Sequence, residues 1–135
     1  MTYTAVLPIL GFNDVTLYEL ENVDGVFYRL KNKEEEAPAF MLITPNAIRN
    51  DYVFEIPDEA AEKLGLTEET VPLTLNIMIL DTTLEKSHVN FLAPLLFNPD
   101  NGKMGQVVLD SSKYPNFGVA EPLENYIRKE TDLCD

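Results

Sequence analysis

Apolar runs in this chain are short and end on turn residues. Segments of four to eight residues rich in Val, Ile, Leu, Thr, Tyr and Phe are bounded by Gly, Pro, Asn or Asp along most of the sequence, a pattern that forms strands rather than helices. Strands are expected near Tyr3–Leu7, Val15–Leu20, Val26–Leu30, Ala39–Thr44, Tyr52–Ile56, Leu73–Leu80, Val89–Phe97 and Gln106–Leu109. Asn22-Val23-Asp24-Gly25 supplies a hairpin turn, because Gly25 accepts the positive φ that a branched side chain resists. Asn98-Pro99-Asp100-Asn101-Gly102 supplies a second, with Pro99 fixing φ. Sequential strands on short turns, without regular alternation of strand and helix, argue for antiparallel sheet in a barrel or sandwich. The expected class is all-β, mainly antiparallel, as a small β-barrel, closed or partly open, with one or two short helices.

The first helix is expected over Asp58–Leu64. Asp58 can cap free N–H groups, Glu59 suits the positive end of the dipole, Gly65 can end the helix, and Ala60, Ala61 and Leu64 would face inward. Near the end, Pro122 suits a first turn and Leu123, Tyr126 and Ile127 share a face, so a second helix of about two turns can form if its stripe docks. The domain reading is a β-barrel over 1–118 followed by an acidic C-terminal tail over 119–135 that has room for this helix. In Val89–Phe97, Pro94 removes a ladder donor, so the strand bends there or lies at an edge open to a partner.

The 135 residues include 23 acids against 10 bases, for a formal charge of −13. Residues 1–67 hold 12 acids and 5 bases, residues 68–135 hold 11 and 5, so no single tail carries the charge. Scattered basic residues argue against direct nucleic-acid binding. An acidic field steers a basic protein partner, and it also keeps a small protein soluble. Hydrophobic residues at 45% are enough for a core. The lone Cys134 fits a reducing compartment. Neither a signal peptide nor an 18-residue apolar span is found, and a cytoplasmic protein with no membrane association is expected.

No catalytic, cofactor-binding or metal-ligating set emerges. His88 follows Ser87, but adjacent strand residues point to opposite faces. Asp100-Asn101-Gly102 resembles a calcium loop in composition and lacks its recurring carboxylates, so a turn is the simpler account. Gly102-Lys103-Met104-Gly105 lacks phosphate-loop spacing. The enzymatic alternative is a small carboxylate-based hydrolase, whose mark is two convergent carboxylates with raised pKa values. A hollow barrel carrying an apolar ligand is a third reading, opposed by the large side chains available to fill it.

Four segments, in order, resemble the bacterial flagellar assembly factor family, FliW: Leu10-Gly11-Phe12 after the first strand, Asp51-Tyr52-Val53-Phe54-Glu55 before the short helix, Val89-Asn90-Phe91-Leu92-Ala93-Pro94, and Gly105-Gln106-Val107-Val108-Leu109 followed by Tyr114. The resemblance covers about residues 5–115. Phe91 stands where that family often has leucine, and the tail beyond about Tyr114 is longer and more acidic than in many members.

The resemblance implies a non-enzymatic regulator that binds flagellin in the cytoplasm. When flagellin is exported, it binds the RNA-binding translational regulator CsrA and relieves repression of flagellin synthesis. A monomer without cofactor is expected. Aromatic anchors beside carboxylates suit both partners, which makes Asp51, Tyr52, Phe54, Asn90, Phe91 and Pro94 the candidate contact residues. The competing reading is that alternation places Tyr52, Phe54 and Ile56 in the core.

Overall fold

The computed structural model describes residues 1–126. Its strands are β1 (Thr2–Leu7), β2 (Leu17–Asp24), β3 (Phe27–Asn32), β4 (Ala39–Ile43), β5 (Leu73–Ile79), β6 (His88–Val89), β7 (Leu95–Asn98), β8 (Lys103–Gln106) and β9 (Glu121–Pro122). Helix α1 spans Asp58–Leu64, and short 3-10 turns occupy Pro45–Ala47 and Leu123–Asn125. Strands β4, β3, β2, β1, β8, β7 and β5 pair in that order, and β5 pairs back onto β4, closing the expected barrel. The two-residue strands β6 and β9 extend the sheet beyond the far half of β5.

Both expected hairpins form, β2 to β3 and β7 to β8. All ring pairings are antiparallel except β1 with β8, where the chain's two ends of the barrel meet in parallel. Glycine permits that approach, since a Cβ at Gly105 would lie 2.5 Å from Leu7 Cβ. Alternating residues divide two cores. The barrel interior is filled by Tyr3, Tyr18, Leu20, Leu30, Leu42, Leu75, Leu95, Phe97 and Met104. On the outer wall, Ile43, Met78 and Leu96 pack under α1 and under the segments carrying Tyr52, Phe91, Leu109 and Phe117. The interior is packed rather than hollow, as large side chains require.

Three expected strands differ from the structure. Residues 52–56 are extended but join no ladder, because β4 and β5 pair with each other to close the ring and leave no place between them. The run over 89–97 divides into β6 and β7 around a bend at residues 90–94. Asn90 Oδ1 accepts from the N–H groups of Leu92 and Ala93, both at 3.1 Å, and Pro94 has none to give. That bend also explains why β8 stops at Gln106 rather than reaching Leu109. Residues 107–109 still run beside 92–94, but only one-way bonds form, Val107 N–H to the Pro94 carbonyl at 3.0 Å and Leu109 N–H to that of Leu92 at 2.8 Å. The bend at Pro94 is thus built into the barrel wall, and Pro94 is buried.

Helix α1 has the expected bounds, with Ala60 and Leu64 buried. Its N-cap is Pro57, not Asp58, and no side chain caps it; Asp58 and Glu59 act on the first turn through charge alone. At the other end, Asn98 and Asn101 of the second hairpin turn donate to the Leu64 carbonyl at 2.9 and 3.0 Å. Near the C-terminus, Leu123–Asn125 forms a single 3-10 turn, Leu123 is buried, and β9 pairs with β6. Ile127, the last member of the expected helical stripe, and Cys134 lie outside the described residues.

Candidate functional site

Six residues were expected to meet partners, and two of them, Asp51 and Phe91, contact one arginine. Arg49 follows the turn at Pro45–Ala47 and is 8% exposed. Its Nε and Nη2 donate to the two carboxylate oxygens of Asp51 at 2.7 and 2.6 Å. Nη1 donates to the Tyr126 hydroxyl at 2.9 Å and to Glu121 Oε2 at 3.4 Å. The rings of Phe91, Phe117 and Tyr126 lie around the guanidinium, with centroids 4.8, 5.0 and 5.0 Å from its central carbon. A planar cation in an aromatic box, with its donors occupied, is a rigid unit. Glu121 Oε2 also accepts from Gly118 N–H at 2.6 Å, and Tyr126 Oη donates to Glu121 Oε1. Residues 117–126 are thereby held to residues 49–51.

Tyr52 lies beneath this box at 4% exposure. Its hydroxyl donates to the Phe91 carbonyl at 2.6 Å and accepts from Asn76 Nδ2 at 2.9 Å. Asn76 Nδ2 also donates to the Asn90 carbonyl at 2.8 Å, so a buried side chain of β5 spans the bend before Pro94. The Tyr52 ring meets Phe54, Phe91 and Phe117 edge to face at 5.3, 5.3 and 4.7 Å, geometries that stabilise beyond area alone.

Titration follows from these contacts. The hydrogen bonds from Arg49, and then its charge, hold the Asp51 carboxyl below the usual carboxylate range. Burial, followed by the hydrogen bond to Glu121, pushes the Tyr126 phenol up to about 12. Burial moves the Tyr52 phenol up as well.

Of the expected contact residues, Tyr52, Phe91 and Pro94 are buried, and Phe54 and Asn90 are half-buried. Asp51 alone is exposed, with 61% of its side chain open to solvent. The alternation noted in the sequence places Tyr52, Phe54 and Ile56 inward and turns Asp51, Val53, Glu55 and Pro57 outward. The outward row reads acid, apolar, acid, apolar, and Val53 is 74% exposed. Arg49 was absent from the sequence reading. Within its own segment only Asp51, two residues on, could have marked it, since its other partners Glu121 and Tyr126 lie 72 and 77 residues away.

Other features take structural places. Ser87 is buried, with Oγ donating to the Thr83 carbonyl at 3.1 Å and accepting from Asp81 N–H at 3.0 Å, while His88 pairs with Pro122 in the sheet. Among the described residues, no group of three or more His, Cys, Asp or Glu could hold a metal ion, and no helix is long and apolar enough to cross a membrane.

Comparison with known proteins gives one consistent set of matches. A family model described as FliW protein matches residues 2–118. The chain is 46% identical over 131 residues to flagellar assembly factor FliW 2 of Wolinella succinogenes, spanning 97% of this chain and 96% of that protein. It is 43% identical over 122 residues to flagellar assembly factor FliW of Campylobacter lari, with 90% and 93% covered. The corresponding protein of Sulfurimonas denitrificans is 42% identical over 130 residues, with 96% and 100% covered. A crystal structure of the flagellar assembly factor FliW shares the fold at a TM-score of 0.84 and 22% identity, over 95% of this chain and 87% of that one.

Proposed function

The chain belongs to the FliW family of flagellar assembly factors, and from that premise we propose that it works by holding proteins, flagellin first and CsrA once flagellin is exported. Holding CsrA relieves its repression of flagellin synthesis. The cycle takes place in the cytoplasm and involves no chemistry on either partner.

The observation that carries this reading is the outward row Asp51, Val53, Glu55 on a buried, hydrogen-bonded base. Arg49 and Tyr52 fix the backbone from below, so the exposed side chains are presented without a large ordering cost on binding. Apolar and acidic groups side by side offer burial to an amphipathic segment and charge to a basic one. A carboxylate-based hydrolase fits less well. Among the described residues, the carboxylates displaced from their usual range, Glu19, Asp51, Asp81 and Asp110, all move down, opposite to the direction a general acid needs.

Calorimetry with purified flagellin and purified CsrA at micromolar concentration, at two salt concentrations, tests the proposal. Both bind, and raising salt weakens CsrA binding more than flagellin binding, because charge dominates the first and apolar burial the second. Absence of binding to either protein contradicts it.

A further inference from the structure

Beside the outward row lies a groove of about 390 Å³ between residues 55–58 and residues 108–114. It continues past Pro57 and Val108 into a smaller depression of about 200 Å³ reaching Leu7 and Ala60. Ile56, Pro57 and Val108 form an apolar strip within an otherwise largely polar groove, and Val108 is 54% exposed. Its rim holds Glu55, Asp58, Glu59 and Asp110 against a single base, Lys113, which Glu55 already engages at 3.0 Å. The rim is therefore acidic, and its one cation is neutralised from within.

The backbone at Val108 adds a directional feature. Successive residues of an extended strand present their main-chain groups to opposite edges. Val107 and Leu109 bond toward residues 94 and 92, so the N–H and C=O of Val108 face the other edge. That edge is occupied by β1 only as far as Leu7, paired with Gly105. Pro8 follows with no N–H to give, and the next turn is held at Gln106, whose Oε1 accepts from Leu10 N–H at 2.8 Å. Among the described residues, no group accepts a hydrogen bond from Val108 N–H.

We propose that this groove takes an extended segment of a partner protein in which apolar side chains alternate with lysine or arginine, added along the edge left open at Val108. Main-chain bonds at Val108 align the segment, its apolar side chains cover Val108 and Ile56, and its basic side chains meet Glu55, Asp58 and Asp110. The inference rests on the reading that the chain acts by holding proteins, and it gives that action a place and a partner chemistry.

Fluorescence polarisation of a labelled eight-residue peptide alternating lysine and valine tests it, with a glutamate and valine peptide as comparison. The wild type binds the basic peptide and not the acidic one. Val108→Glu and Asp110→Lys each weaken binding at least about tenfold, while Val71→Glu, at an 84% exposed position outside the groove, leaves it unchanged. Val108→Pro, which removes the unengaged N–H while keeping an apolar ring in place of the valine side chain, weakens it too. Circular dichroism melts confirm that each variant folds. Equal binding of both peptides, no binding by the wild type, or retention of binding in both Val108 variants overturns the groove. Calorimetry of the same wild-type preparation with flagellin and CsrA separates the two readings, since binding there alongside failure with the peptide removes the groove alone.

Discussion

Arg49 and Asp51 form a two-point ion pair, with hydrogen bonds of 2.7 and 2.6 Å, in which the cation is buried and the anion faces solvent. The asymmetry decides what each residue contributes. Asp51 lies in water on one side, so its pairing adds little net stability, about 0–1 kcal/mol. Arg49 cannot lose its fork without leaving the half-buried Glu121 carboxylate and Tyr126 hydroxyl short of a donor. Arg49→Lys keeps the charge but forfeits the bidentate bond and the stacking on Phe91 and Phe117, at a cost of about 1.5–3 kcal/mol. Asp51→Asn costs less than the arginine substitution. Urea unfolding midpoints at constant m-value give both numbers, and the reverse ranking contradicts the arrangement.

Tyr52 separates packing from hydrogen bonding. Tyr52→Phe keeps the three ring contacts and deletes the hydroxyl, leaving the Phe91 carbonyl without its donor and Asn76 with one acceptor fewer. A loss of about 1–3 kcal/mol is expected, with the outward row intact in position. Partner affinity therefore changes far less than stability, which calorimetry on the folded variant measures.

Tyr126 predicts the alkaline behaviour. Its folded pKa of about 12 lies above the value of about 10 for a free phenol. A phenol raised on folding contributes fully below the unfolded value, and the contribution is lost as pH rises toward the folded one. Stability should fall between about pH 10 and about 12, and Tyr126→Phe should make that fall shallower, as urea midpoints at pH 8 and pH 11 would show. Identical alkaline slopes in the two proteins would remove Tyr126 from the latch on residues 117–126.

The barrel's local parts were legible because local chemistry dictates them. Gly25 and the Asn98–Gly102 turn specify hairpins through backbone preference, and Gly65 ends α1 where its sequence neighbours suggest. The parallel meeting of β1 and β8 was not legible, because it depends on ring closure rather than on any residue in either strand. For 52–56, period-two alternation correctly separates buried from exposed side chains, but a ladder also needs a neighbouring edge, and sequence gives no view of that. At Pro94 the missing donor was visible; its effect on residues 107–109, opposite it in space, was not. The candidate contacts divide for the same reason. Aromatic residues beside acids read as anchors in sequence, whereas here Tyr52 and Phe91 are the support and the exposed groups are Asp51, Val53 and Glu55.

In the proposed cycle one molecule serves two proteins in turn. Titrating flagellin into a preformed complex with fluorescently labelled CsrA tests it most directly. Anisotropy should fall to the value of free CsrA as flagellin is added, with release complete near the flagellin concentration that saturates the protein. A stable assembly containing all three proteins, with anisotropy unchanged or rising, would contradict it.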